Sequence, residues 1–220
     1  MNISLRRFLG KVFRSSSERR HAHVGPAHLW KMKREFQFNF LELSGLEPQH
    51  DFLDIGCGTL RGGIPLIEFL ETGRYCGLEV RAEVLVEGRR ELAAAGLEGK
   101  HPQLVVPDDM GALELGRKFD YAWAFSVLFH MTDEIVEQCV GMVARHLEPD
   151  GVFYANVNIG DRPPGDWQGF PVMYHTLEFY QELCKRHGMS AQDTGSLETL
   201  GHISGHAAQD SQRMLAIKPV

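Results

Sequence analysis

Asp51-Phe52-Leu53-Asp54-Ile55-Gly56-Cys57-Gly58-Thr59 is the stretch on which the reading of this chain turns. Residues 52–55 form a short run of strand-favouring side chains, cut off by Gly56 and Gly58 and followed by apolar residues at helical spacing over residues 64–70. A strand, a Gly-x-Gly turn and a helix let the backbone come close to a nucleoside-like ligand at a helix N-terminus, because no side chain stands in the way. Alone the pattern is common, so its meaning depends on its surroundings.

Working outward, the elements alternate. Residues 74–80 read as a strand, 82–95 as a helix closed by Gly96, 104–106 and 121–125 as strands, and 133–147 as a helix opened by Thr132-Asp133-Glu134. The turn Pro149-Asp150-Gly151 leads into a strand at 152–156. Upstream, Pro26 opens a covering helix with Leu29, Trp30, Phe36, Phe40, Leu41 and Leu43 as its apolar residues. Downstream, Thr176 caps a helix over 177–187 closed by Gly188, and a strand pair is expected near Ala191 and at 214–217. Strands alternating with helices imply an α/β fold with a parallel sheet covered on both faces and ligands at the carboxyl ends of the strands.

Acidic residues stand where those strands end. Asp54 closes the first strand. Glu79 closes the second, 21 residues beyond Gly58, where a carboxylate can accept hydrogen bonds from ribose hydroxyls. Asp109, with Asp108 as the alternate, follows the third and is placed to meet an adenine amino group. Three carboxylates are poor neighbours for a pyrophosphate and good ones for an ammonium, a sulfonium and a ribose, so the charge pattern favours S-adenosylmethionine over a dinucleotide. A nicotinamide site would also want a glycine at position 61, which is Arg61.

Residues 51–59 resemble motif I of the class I methyltransferases. Phe119-Asp-Tyr-Ala-Trp-Ala-Phe-Ser-Val-Leu-Phe-His130-Met resembles their fourth-strand segment, and Leu147-Glu-Pro-Asp-Gly-Val-Phe is similar to the turn before their fifth strand. The likeness covers roughly residues 50–157 in the family's order. It implies a Rossmann-like, doubly wound, mostly parallel seven-stranded sheet with an antiparallel last strand. It further assigns Asp54, Gly56, Cys57 and Gly58 to the methionine end of the cofactor, Glu79 to ribose, Asp109 or Asp108 to adenine, and Phe125 and Ser126 to the cofactor floor. The chain departs from the family pattern at Leu60-Arg61-Gly62-Gly63, where Arg61 is read either as a partner of a cofactor or substrate carboxylate or as a structural partner of Asp54 or Glu68.

For the transfer itself, His130 follows the fourth strand and is the candidate general base, with helix capping as its other reading. Trp167, Tyr174 and His175 are candidate substrate contacts on a loop after the fifth strand. No Asn/Asp-Pro-Pro-Tyr signature follows the fourth strand, which argues against methylation of exocyclic or glutamine amines. His202 and His206 are four apart, but Gly201 and Gly205 suit a loop and no third ligand is in view, so no metal is expected.

The 220 residues, 43% hydrophobic and 24% charged, suffice for one large core. A net charge of −6 offers no broad basic surface, so nucleic acid is not an expected partner. The scattered Cys57, Cys76, Cys139 and Cys184 suggest reduced thiols and a cytoplasmic location. Residues 1–23 carry a local charge of +5 and leave −11 for the rest. Residues 1–14 interleave apolar and basic side chains, so the arm is a candidate for peripheral membrane contact or for docking a partner, with residues 24–220 as the catalytic domain. The expected activity is methyl transfer to a hydroxyl, ahead of an amine or carboxylate, on a small molecule or glycan. A nicotinamide-dependent oxidoreductase and a non-catalytic S-adenosylmethionine-binding module are the alternatives.

Overall fold

The computed structural model describes residues 27–220, so the readings made for the arm and for Pro26 lie outside the described residues. Nine strands follow in chain order: β1 Phe52–Ile55, β2 Tyr75–Leu78, β3 Gln103–Val105, β4 Phe119–Ala124, β5 Leu147–Val157, β6 Gly165–Trp167, β7 Phe170–Val172, β8 Met189–Ser196 and β9 Arg213–Pro219. Seven of them form one sheet in the order β3-β2-β1-β4-β5-β9-β8. The first five neighbours pair in parallel, while β9 runs antiparallel to both β5 and β8. This is the doubly wound sheet with an antiparallel last strand that the sequence predicts.

The helices are α1 Trp30–Leu43, α2 Gly63–Phe69, α3 Ala82–Ala94, α4 Asp133–His146, α5 Leu177–Arg186 and the single turn α6 Ala207–Asp210. They cover the sheet on both faces because strand side chains alternate. Leu53 and Ile55 of β1 join Ala122, Ala124, Phe153 and Ala155 beneath α4 and α5. Phe52, Tyr75 and Trp123 point the other way, under α1, α2 and α3. Each large side chain so buried contributes about 1.5–3 kcal/mol of transfer free energy. The caps predicted at Thr132 and Thr176 are present, accepting from the backbone amides of Ile135 at 3.4 Å and Phe179 at 3.2 Å.

Three local expectations need correction. The Pro149-Asp150-Gly151 stretch is not a turn between helix and strand. It lies within β5 as an irregularity, with Phe119 paired to Leu147 and Tyr121 to Val152. Leu43 is 88% exposed rather than inward, because the helix turns it away from the sheet. The inward stripe of α1 instead includes two polar residues, Lys33 and Gln37, beside Trp30, Phe36 and Leu41. Finally, the segment read as a loop after β5 folds back as the β6-β7 hairpin.

Candidate active site

The carboxyl ends of β1, β2, β4 and β5 open into a cavity of about 820 Å³, within the range of sites for small ligands. Its floor begins at the glycine turn. Gly56 and Gly58 take φ values of +70° and +58°, a conformation that side chains resist. A Cβ at Gly56 would lie 2.5 Å from a methyl of Val127, so the turn is closed to any larger residue. Leu60 is also left-handed (φ +59°) and wholly buried, packed close to Gly63 and Gly88.

Asp54 sits on this floor, buried, and accepts a 2.6 Å hydrogen bond from the Tyr75 hydroxyl. Burial pushes its carboxyl up to about 7, while the Tyr75 bond and the nearby Arg61 pull it back. Glu79 is 3% exposed at the end of β2. It accepts from the Arg81 backbone amide and side-chain Nε, each at 3.0 Å. Arg81 in turn lies 5.5 Å over the ring of Phe170 in the hairpin, tying the two sides of the cavity together. Asp108 and Asp109 line the same cavity and are exposed, with one Asp109 oxygen accepting from the amides of Gly111 and Ala112. Cys57 also lines it, and burial holds its thiol well above the ordinary range, which makes it a packing group rather than a nucleophile.

Phe125 and Ser126 lie on the floor, Phe125 stacked parallel to Trp123 at 5.7 Å. Ser126 is held at φ +60°, its amide donating to Asn156 Oδ1 at 2.6 Å. From there a chain of buried amides continues. Asn156 Nδ2 donates to Gln212 Oε1 at 2.7 Å, Gln212 Nε2 to Asn158 Oδ1 at 3.0 Å, and Asn158 Nδ2 to the carbonyl of Met173 at 3.1 Å. The Met173 amide closes onto the Phe129 carbonyl at 2.8 Å, so the floor and the hairpin are fixed relative to each other.

His130 faces the hairpin. Its Nδ1 lies 2.8 Å from the carbonyl of Pro171, and since a carbonyl only accepts, Nδ1 carries the proton and Nε2 keeps its lone pair. Burial lowers its pKa below the ordinary 6.5, against the Pro171 bond, and the charge of Arg81 lowers it further. The ring is therefore neutral near pH 7, and His130 lines the cavity. Trp167 and Tyr174 also line the cavity. His175 is not among the lining residues. It stacks on Phe179 at 3.9 Å, with Nε2 3.2 Å from Asp133.

Arg61 is buried on the cavity floor, its guanidinium 5.9 Å over Trp30 and acted on by the charges of Asp54 and Arg34. Glu68, the other partner considered, lies exposed on α2. Beside Arg61 stands Lys33, which sequence reasoning missed. It is 7% exposed, 6.0 Å from the Phe125 ring, and drawn down to about 8 by burial and by Arg61, with Asp210 opposing. The available signal was its place, three residues after Trp30, on an inward helical stripe where a lysine needs a reason. His202 pairs with Asp210 at 2.9 Å beneath Phe36 and Phe125, while His206 is exposed, and no group of His, Cys, Asp or Glu suited to a metal is present among the described residues.

A glycine cradle that admits only backbone, two buried carboxylates and a pair of buried cations fit a ligand carrying ribose, a positive centre and a carboxylate. Residues 53–153 match a family described as a methyltransferase domain. Among solved structures, the chain is similar to an S-adenosylmethionine-dependent methyltransferase from Clostridium acetobutylicum, at 15% identity and a TM-score of 0.65, covering 86% of this chain and 92% of that one. It is also similar to magnesium protoporphyrin IX methyltransferase from Synechocystis with bound S-adenosylmethionine (15% identity, TM-score 0.66, 97% and 96% covered). A third likeness is to the glycopeptide N-methyltransferase MtfA complexed with S-adenosylmethionine (16%, 0.65, 85% and 94%).

Proposed function

We propose that this chain is a class I S-adenosylmethionine-dependent methyltransferase that methylates a hydroxyl of a small-molecule or glycan acceptor with His130 as the general base. S-adenosylmethionine supplies an activated methyl on a sulfonium whose departing form is a neutral thioether. The protein's own work is then alignment and removal of a proton. In this reading Asp54 and the Gly56-Cys57-Gly58 turn hold the amino end of the cofactor, and Lys33 and Arg61 its carboxylate. Glu79 takes the ribose hydroxyls, Asp109 the adenine amine, and Phe125 and Ser126 form the floor.

The observation that carries the hydroxyl assignment is the hydrogen bond from His130 Nδ1 to Pro171, which leaves a neutral imidazole with Nε2 free to accept. An amine acceptor loses its proton readily and has less need of such a base. The test is transfer of labelled methyl to matched hydroxyl, amine and carboxylate compounds, with the product bond identified by mass spectrometry. O-methylation that fades as pH falls through the His130 pKa supports the proposal. Products on nitrogen alone, with no dependence on His130, would reject it.

The basic arm at residues 1–14 belongs to the same proposal, as a contact to an anionic membrane surface that brings the domain near its acceptor. No helix among the described residues is long and apolar enough to cross a membrane. Liposome flotation of the full chain against a chain lacking residues 1–17 decides the point: equal flotation of both removes the arm from the proposal.

A further inference from the structure

We infer that the acceptor is a flat aromatic hydroxyl compound, a phenol, rather than a sugar. The inference rests on the reading of this cavity as the site of hydroxyl methylation and narrows it. Rings crowd His130: Phe129 at 4.4 Å, Trp167 at 5.2 Å and 32°, and Phe170 at 6.4 Å. Met131, Ile135 and Val172 extend the same wall of the cavity.

Three polar groups along this wall already have partners. His130 Nδ1 is on the Pro171 carbonyl, the Thr132 hydroxyl caps the Ile135 amide, and the Arg81 guanidinium is on Glu79. His130 Nε2 has no partner among the described residues and can meet the acceptor hydroxyl. A sugar ring carries a hydroxyl on almost every carbon, and burying those against rings and methyls without partners is unfavourable. A phenol brings one hydroxyl, matched to one base, and a planar face that stacks on rings at these separations.

Acidity points the same way. A phenolic hydroxyl ionises near pH 10, as tyrosine does, whereas an aliphatic alcohol, like water, is far less acidic. A neutral imidazole whose own pKa is drawn below 6.5 is a weak base, better matched to the phenol.

The experiment is calorimetric titration of the full chain, loaded with S-adenosylhomocysteine, against 2-naphthol, decahydro-2-naphthol and methyl β-glucoside. The decalin alcohol keeps the two-ring skeleton and the hydroxyl but is neither planar nor acidic. Naphthol should bind at least tenfold more tightly than decahydronaphthol, with no saturable heat from the glucoside. Trp167→Leu and, separately, Phe170→Leu should each weaken naphthol at least tenfold and leave S-adenosylhomocysteine affinity within twofold. Glucoside binding as tight as naphthol, a preference for naphthol under tenfold, or indifference to both substitutions would overturn the inference. Methyl transfer is read separately. Naphthol bound with this preference but never O-methylated would reject the base assignment and leave the aromatic acceptor pocket standing.

Discussion

The two walls of the cavity are built differently. The wall proposed to hold the cofactor is made at the ends of β1 and β2 from a left-handed glycine turn, Asp54 and Glu79, all within 26 consecutive residues and rigid by backbone geometry. The wall proposed to face the acceptor joins His130 after β4 to the β6-β7 hairpin some 40 residues later, through one carbonyl, a few rings and the Asn156-Gln212-Asn158 chain. A cofactor common to a family can be met by short-range backbone devices. An acceptor peculiar to one enzyme is met by side chains that long-range packing brings together.

Substitutions should separate the two walls. The largest effect is expected at His130→Gln, which should lower kcat by about 100- to 10,000-fold, the usual worth of a general base. S-adenosylhomocysteine affinity should stay within twofold. A comparable loss of cofactor binding would show that the walls are not separable. On the other side, Glu79→Gln should weaken the cofactor by about 10- to 150-fold, the equivalent of about 1.5–3 kcal/mol for hydrogen bonds to a charged group, and leave the acceptor KM nearly unmoved.

Gln212→Leu probes the link between the walls. It leaves Asn156 Nδ2 and Asn158 Oδ1 buried without partners, at a cost of about 1–3 kcal/mol in stability by denaturant titration. The acceptor KM should rise with the cofactor Kd unchanged. Unaltered stability would mean that the amides find other partners and the two walls are held some other way.

The smallest expected effect is a matter of pH. Asp54 is raised in the fold from 3.8 to about 7, so its contribution to the stability of the cofactor-free protein is complete below pH 3.8 and lost as pH rises through 7. Over pH 6 to 7.5 the free protein should lose stability while affinity for the cationic cofactor rises severalfold. Above about 8, Lys33 gives up its proton and the gain should reverse. Asp54→Asn should flatten the rising limb. A rise that persists in that variant would assign it to another group.

The same division explains what could be read in advance. The sheet, the glycine turn, both threonine caps and the cavity positions of Asp54, Glu79 and His130 follow from local signals, namely strand-turn-helix order and acids at strand ends. The hairpin was hidden because Gly165–Trp167 and Phe170–Val172 are three-residue strands flanked by prolines and glycines, which read as loop. The amide chain was hidden because Gln212 lies 54 residues from Asn158, and no periodicity relates them. Lys33 was overlooked although its helical phase marked it, because the apolar residues around it were read as the whole of the buried stripe.

The most direct test of the cofactor wall is calorimetric titration of the full chain with S-adenosylhomocysteine, compared across wild type, Asp54→Asn and His130→Gln. The wild type should bind saturably, Asp54→Asn about tenfold or more weakly, and His130→Gln as the wild type does. Folded wild-type protein that binds no S-adenosylhomocysteine, or binding weakened equally by both substitutions, would contradict the account.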